Sequence, residues 1–111
     1  MPKPLVVVNC KTYLAASGAA AEALAIQMMA LKTSARMVLA VSPLDLAPVI
    51  SAAPDLEVWA QHLDPVGHGS NTGRIQPETA ISRGASGSLV NHAERKVPLG
   101  HVDELLAMVP P

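Results

Sequence analysis

Short apolar runs of strand length alternate along this chain with longer segments of helical spacing. Leu5 to Val8 is wholly aliphatic and turns polar at Asn9. Met37 to Ser42 is nearly all apolar, as expected of a strand buried on both faces. Glu57 to Gln61 and Ser88 to Val90 complete four candidate strands. Between the first two, Ala19 to Lys32 carries Leu24, Met28 and Leu31 at helical spacing, with Ala21 and Ala25 completing the face and Ser17 placed to cap it. Asp45 to Ala53 predicts a second helix, with Asp45 favourable at its amino end and Pro48 tolerable in its first turn. Pro77 to Arg83 predicts a third, opened by proline and ended by Gly84. Gly100 to Met108 predicts a fourth, with Val102, Leu105, Leu106 and the following Val109 on its apolar side. The order is βαβαβαβα without internal repeats, which implies a parallel sheet with right-handed crossovers.

Period-two alternation in the first strand puts Leu5, Val7, Asn9 and Lys11 on one face and turns Cys10 outward, toward the helices. In the fourth strand it groups Ser88, Val90 and His92 against Leu89 and Asn91, so His92 is expected to face inward at the strand's carboxyl end. Parallel β/α proteins gather ligand-binding side chains at that end. Taken singly, these residues have ordinary explanations: a histidine after a strand is most often structural, a lysine is a solvated loop end, and Glu94-Arg95-Lys96 is an exposed charged turn. Their shared strand-end placement points instead to one site. His62, Asp64 and His68 fall in the glycine-containing loop from His62 to Thr72, where no thiol or helical histidine pair accompanies them, so they read as turn residues rather than metal ligands. Gly67, Gly69 and Gly73 lack the strand-to-helix phosphate fingerprint.

Composition narrows the class. Only 15% of the 111 residues are charged, with a formal net charge of -1, which offers neither a nucleic-acid footprint nor a polybasic membrane anchor. No apolar run approaches a membrane span, and the single cysteine, Cys10, agrees with a reducing cytoplasm. With Trp59 and Tyr13 as the only aromatic residues, the core has to be aliphatic, and Met28 and Met29 read as gap fillers.

Asn9-x-Lys11 after the first strand and Asn91-His92-x-Glu94-Arg95 after the fourth closely resemble the triosephosphate isomerase family. Ala60-Gln61-His62-x-Asp64-Pro65 and Asn71-Thr72-Gly73 resemble its archaeal branch. The resemblance runs over essentially the whole chain and covers the front half of the family's barrel. It implies an α/β fold, the parallel (βα)4 half of a TIM (β/α)8 barrel, with residues 1–111 as its N-terminal half, since the complete barrel takes about 250 residues. It also implies interconversion of dihydroxyacetone phosphate and glyceraldehyde 3-phosphate through an enediolate, with no cofactor and no metal.

In that reading His92 is the electrophile, and Ala93 to Lys96 begin the helical turn that keeps it neutral, the arrangement documented for this family. Lys11 is the cation stabilising the enediolate, Asn9 positions substrate, and Glu94 holds Lys11, making a buried ammonium tolerable. Thr72 matches the residue that reaches a neighbouring subunit's site, which implies a homo-oligomer, a dimer or tetramer. Two positions depart from the family: Cys10 stands where an aromatic residue is usual, and Ala93 stands where serine usually follows the histidine. The family's glutamate base, lid and phosphate loops all fall beyond residue 111. The expectation is therefore a fragment, or one half of an assembly completed by a complementing C-terminal half. The alternatives are a non-catalytic half-barrel acting as an assembly or interaction module, and another phosphosugar enzyme on the same scaffold.

Overall fold

A computed structural model describes residues 2–110. Its strands β1 (Leu5–Asn9), β2 (Arg36–Val41) and β3 (Glu57–Ala60) form a parallel sheet in the order β1-β2-β3. Helices α1 (Ala19–Met29) and α2 (Leu46–Ala52) make the two crossovers, and α3 (Pro77–Ser82) and α4 (Leu99–Met108) follow β3. Among the described residues, no helix is long and apolar enough to cross a membrane.

The register explains the two faces. Val8 lies opposite Leu39, and Leu39 opposite Val58, so these side chains share the helix-facing side of the sheet. They join Cys10, Val41, Ala60, Ala21, Ala25, Met28, Val49 and Leu105 in one apolar cluster. Leu39, Val41, Val49 and Val58 are essentially inaccessible, and each such burial stabilises the fold by about 1.5–3 kcal/mol. The other face carries Val7, Val38, Ala40, Trp59 and, at the strand ends, Asn9. Cys10 points among the helices as the alternation requires. Burial raises its thiol pKa, with the Asp45 carboxylate adding to the effect, so it behaves as a small apolar residue.

Three local expectations are corrected. The fourth strand is reduced to an isolated bridge between Ala60 and Ser88. Its segment follows β3 through three backbone hydrogen bonds, from Ser86 to Val58, Ala60 to Gly87 and Leu89 to Ala60, and Asn91 at φ +57° then turns the chain out of line. The helix expected to reach Lys32 stops at Met29, because Ala30 closes the last turn and Thr33 Oγ1 accepts the Ala35 N–H in a competing local turn. Ser17 is no cap for α1. Its hydroxyl donates to Tyr13 O, Gly18 holds the cap position, and the buried Asp45 carboxylate accepts the Gly18 N–H at 3.0 Å. Asp45 does precede α2, but its side chain spans to the start of α1 instead of capping α2.

Helix α3 begins at Pro77 and ends against Gly84, whose φ of +105° suits glycine at a helix exit. Gly87 has a steric role: a Cβ there would lie 2.6 Å from the Trp59 ring.

Candidate active site

The carboxyl ends of β1 and β3 are tied by amide side chains. Asn9 Oδ1 accepts the Lys11 N–H at 3.0 Å and the Gln61 side-chain amide at 3.3 Å. Gln61 Nε2 also donates to the Lys11 carbonyl at 2.9 Å. Lys11 needs this support, because its φ of +51° is a left-handed conformation in a non-glycine residue, and such strain costs on the order of 1–3 kcal/mol. Hydrogen bonds from the ends of β1 and β3, on either side of β2, fix the backbone that carries the ammonium group.

The turn at Asn91 decides where His92 goes. Ser88 and Val90 face the groove beneath α3 and α4, whereas Leu89 lines the cleft above the strand ends. Simple alternation grouped His92 with Ser88 and Val90. The left-handed Asn91 breaks that period and brings His92 to the side of Leu89. Asn91 Oδ1 accepts the Val97 N–H at 3.0 Å, closing the loop behind it.

No helix starts at Ala93. A single turn, closed by Arg95 N–H to His92 O at 2.8 Å, replaces the expected helical start, and α4 begins only at Leu99. Within that turn the Glu94 N–H donates to His92 Nδ1 at 3.0 Å. A nitrogen that accepts from an N–H carries no proton, so the neutral ring bears its hydrogen on Nε2. Glu94 Oε1 lies 3.6 Å from the same Nδ1, too far for a hydrogen bond and facing a nitrogen with nothing to donate. The backbone contact therefore sets the tautomer.

Glu94 reaches the other way to Lys11, with Oε2 3.4 Å from Nζ. The ammonium also sits 5.7 Å from the Tyr13 ring centre, within cation–π range. Lys11 was expected to be buried, but its side chain is 37% exposed and that of Glu94 59%. Their pair is a solvated one of about 1 kcal/mol or less, and its value lies in aiming the ammonium.

Asn9, Lys11, His92 and Glu94 all line one cleft of about 410 Å³, together with Gln61, His62 and Asp64. Thr72 does not join them. It is exposed on the long loop and borders a separate groove with Pro65, Asn71 and Arg74. The neck of that loop is held by Asp64, whose N–H donates to Ile75 O and whose Oδ2 accepts the Ile75 N–H, both at 2.8 Å. Desolvation pushes the Asp64 pKa up, but the Ile75 N–H, His62 and Arg74 outweigh it and hold the carboxyl below its usual range.

Sequence reasoning missed Gln61 and Tyr13 as parts of this site. For Gln61 the signal was present: two residues on from Trp59, it falls on the inward face by the same alternation that singled out Asn9.

The fold and cleft define a parallel α/β protein whose polar residues gather at the carboxyl ends of its strands. The family model described as triosephosphate isomerase matches residues 4–109, and the chain belongs to that family. It is 42% identical over 101 residues to a triosephosphate isomerase of Archaeoglobus fulgidus, covering 89% of this chain and 45% of that protein. It is 35% identical over 108 residues to one of Metallosphaera sedula, covering 96% of this chain and 47% of the relative. A Cenarchaeum symbiosum relative with the same description is 38% identical over 109 residues, with 96% and 47% covered. The chain thus spans about half the length of the curated relatives it matches.

Proposed function

We propose that this chain supplies the electrophilic half of a triosephosphate isomerase site. The observation that carries the reading is the convergence of His92 and Lys11 on one cleft, with Glu94 between them and Asn9 behind. Isomerising a triose phosphate requires polarising a carbonyl and stabilising the enediolate that forms as a proton leaves the adjacent carbon. His92 donates from Nε2 to the substrate oxygen, the Lys11 ammonium stabilises the developing negative charge, and Asn9 orients the substrate. Glu94 aims Lys11 and sets the His92 tautomer through its backbone, so it is a positioning residue. The proton-abstracting base and the phosphate-binding loops belong to a complementing C-terminal half. Thr72, exposed on its tethered loop, reaches a second copy in a cytoplasmic homo-oligomer. Ala93 leaves the cleft without the hydroxyl that follows the histidine in the family, so turnover in the completed barrel is reduced.

The second reading, an assembly module without catalysis, draws support from the open edges of the sheet. Leu5 and Val6 on β1 are 48% and 40% exposed, and an apolar groove lined by Val90, Leu105 and Leu106 lies beyond β3. Such edges pair readily with another chain.

Fusing residues 1–111 to the C-terminal half of the Archaeoglobus fulgidus relative tests both readings. A folded fusion is expected to interconvert the two triose phosphates, and His92→Gln is expected to cut turnover by roughly 10²-fold or more. Unchanged turnover in His92→Gln rejects the electrophile assignment. A folded fusion without turnover favours the assembly module.

A further inference from the structure

The cleft margin carries a cluster that the isomerase chemistry does not use. His62 and Asp64 leave the end of β3, and His101 projects from the first turn of α4. One ligand atom from each lies within 4.8 Å of the other two. His62 Nε2 is 2.9 Å from Asp64 Oδ1, and the two imidazole rings are 5.3 Å apart at 46°. From the sequence, His62 and Asp64 were paired with His68 and set aside as turn residues. The fold sends His68 elsewhere, to Gln76 and Glu78. It substitutes a histidine distant in sequence.

We propose that His62, Asp64 and His101 bind a first-row divalent metal ion of the zinc type. Two imidazoles and a carboxylate suit Zn²⁺, Co²⁺, Ni²⁺ or Cu²⁺ better than Mg²⁺ or Ca²⁺, which prefer all-oxygen shells. Three protein ligands also leave a coordination position open to water.

The ligands are held in place before any metal arrives. Asp64 is 3% exposed and the His62 side chain 12%. Asp64 Oδ2 is occupied by the Ile75 N–H, leaving Oδ1 directed at His62. His101 Nε2 donates to the Leu63 carbonyl at 2.8 Å, which orients its ring against the residue between the other two ligands. With Nε2 so engaged, Nδ1 is the ring nitrogen left for a metal ion, and an outer partner of this kind fixes ring orientation at metal sites. Binding replaces the proton shared by His62 and Asp64 with the metal ion. It also requires Arg74 to withdraw, since Nη1 lies 3.7 Å from Asp64 Oδ1. That side chain is 60% exposed and free to swing into solvent. An ion so bound ties the loop neck to α4 at the edge of the isomerase cleft.

The chain has four histidines, His62, His68, His92 and His101, so the site can be read directly. Zn²⁺ is titrated into the purified chain while the imidazole Cε1–H signals are followed by NMR, with calorimetry for stoichiometry. The expected result is one equivalent bound, shifts at His62 and His101, and little change at His68 and His92. His101→Gln is expected to weaken binding by about tenfold or more, whereas His68→Gln leaves it intact. No response to excess Zn²⁺, shifts confined to His68 or His92, or unaltered affinity in a folded His101→Gln overturns the proposal. Should that variant fail to fold, the NMR titration of the unsubstituted chain decides by itself.

Discussion

Gly87→Ala tests the link between packing and the placement of His92. The methyl group would meet Trp59 Cε2 and Nε1 at 2.6 Å and Cδ2 at 2.9 Å, so either the indole or the strand-like segment has to move. Neither moves freely. The Gly87 carbonyl accepts the Ala60 N–H at 3.0 Å, and Leu89 donates back to Ala60 at 2.9 Å, which is how the segment leading to His92 is attached to the sheet. Overpacking of this kind costs about 1–3 kcal/mol. With a urea slope of roughly 1–3 kcal/mol per molar, the unfolding midpoint falls by about 1 M. Trp59 is the only tryptophan, so its fluorescence reports both the unfolding transition and the disturbed ring. Trp59→Leu removes the obstacle together with the fluorophore, so all four variants of the cycle are unfolded in urea under far-UV circular dichroism. In a double-mutant cycle the alanine is expected to cost much less on that background, a coupling of about 1 kcal/mol or more. A Gly87→Ala variant as stable as the parent, or additive with Trp59→Leu, would show that the Trp59 ring does not confine residue 87.

Gln61→Leu leaves the Lys11 carbonyl without its side-chain donor, at a cost of about 1–3 kcal/mol, while Asn9 Oδ1 keeps the Lys11 N–H. In the fused barrel it is expected to lower kcat more than it raises KM, because the ammonium loses its aim, and steady-state kinetics measures the split. Glu57 and Arg36 form a two-pronged ion pair at 2.6 and 2.7 Å, and the Arg36 hydrogen bond, partly opposed by desolvation, lowers the Glu57 pKa. A lowered folded-state value means the stabilisation is present above the unfolded glutamate pKa of about 4.3 and is lost as pH falls through the folded value. Glu57→Gln is therefore expected to flatten the acid limb of a stability-against-pH curve. Gly84→Ala combines a φ of +105° with a Cβ 3.1 Å from Ile50 Cγ2, and thermal unfolding is expected to show a loss of about 1–2 kcal/mol.

Much of the architecture was legible because burial enforces periodicity. A parallel strand covered on both faces reads as an uninterrupted apolar run, as β2 does, and the Ala-rich spacing before it marks α1. Alternation placed Asn9, the last residue of β1, correctly, whereas Lys11 lies beyond the strand and reaches the same cleft through a left-handed backbone held by Asn9 and Gln61. His92 also reached the expected cleft off the alternation, because a left-handed Asn91 reset the period, and backbone sign is invisible to a hydrophobic pattern. The fourth strand shrank to a bridge for a related reason: three hydrogen bonds to β3 hold it, and its far edge has no neighbour among the described residues. Gln61 was within reach of the same alternation rule but stood inside a motif read only for resemblance. His101 was not legible at all, because its meeting with His62 and Asp64 depends on how α4 docks against the loop.

The proposed role of His92 requires it to present an N–H to the cleft it shares with Lys11. Imidazole ¹⁵N NMR of the chain, at a pH where an ordinary histidine is neutral, measures which nitrogen carries the proton. The structure predicts an Nε2–H ring at His92, with Nδ1 accepting from the Glu94 N–H. An Nδ1–H ring would turn a bare lone pair toward the substrate and contradict the assignment of His92 as electrophile.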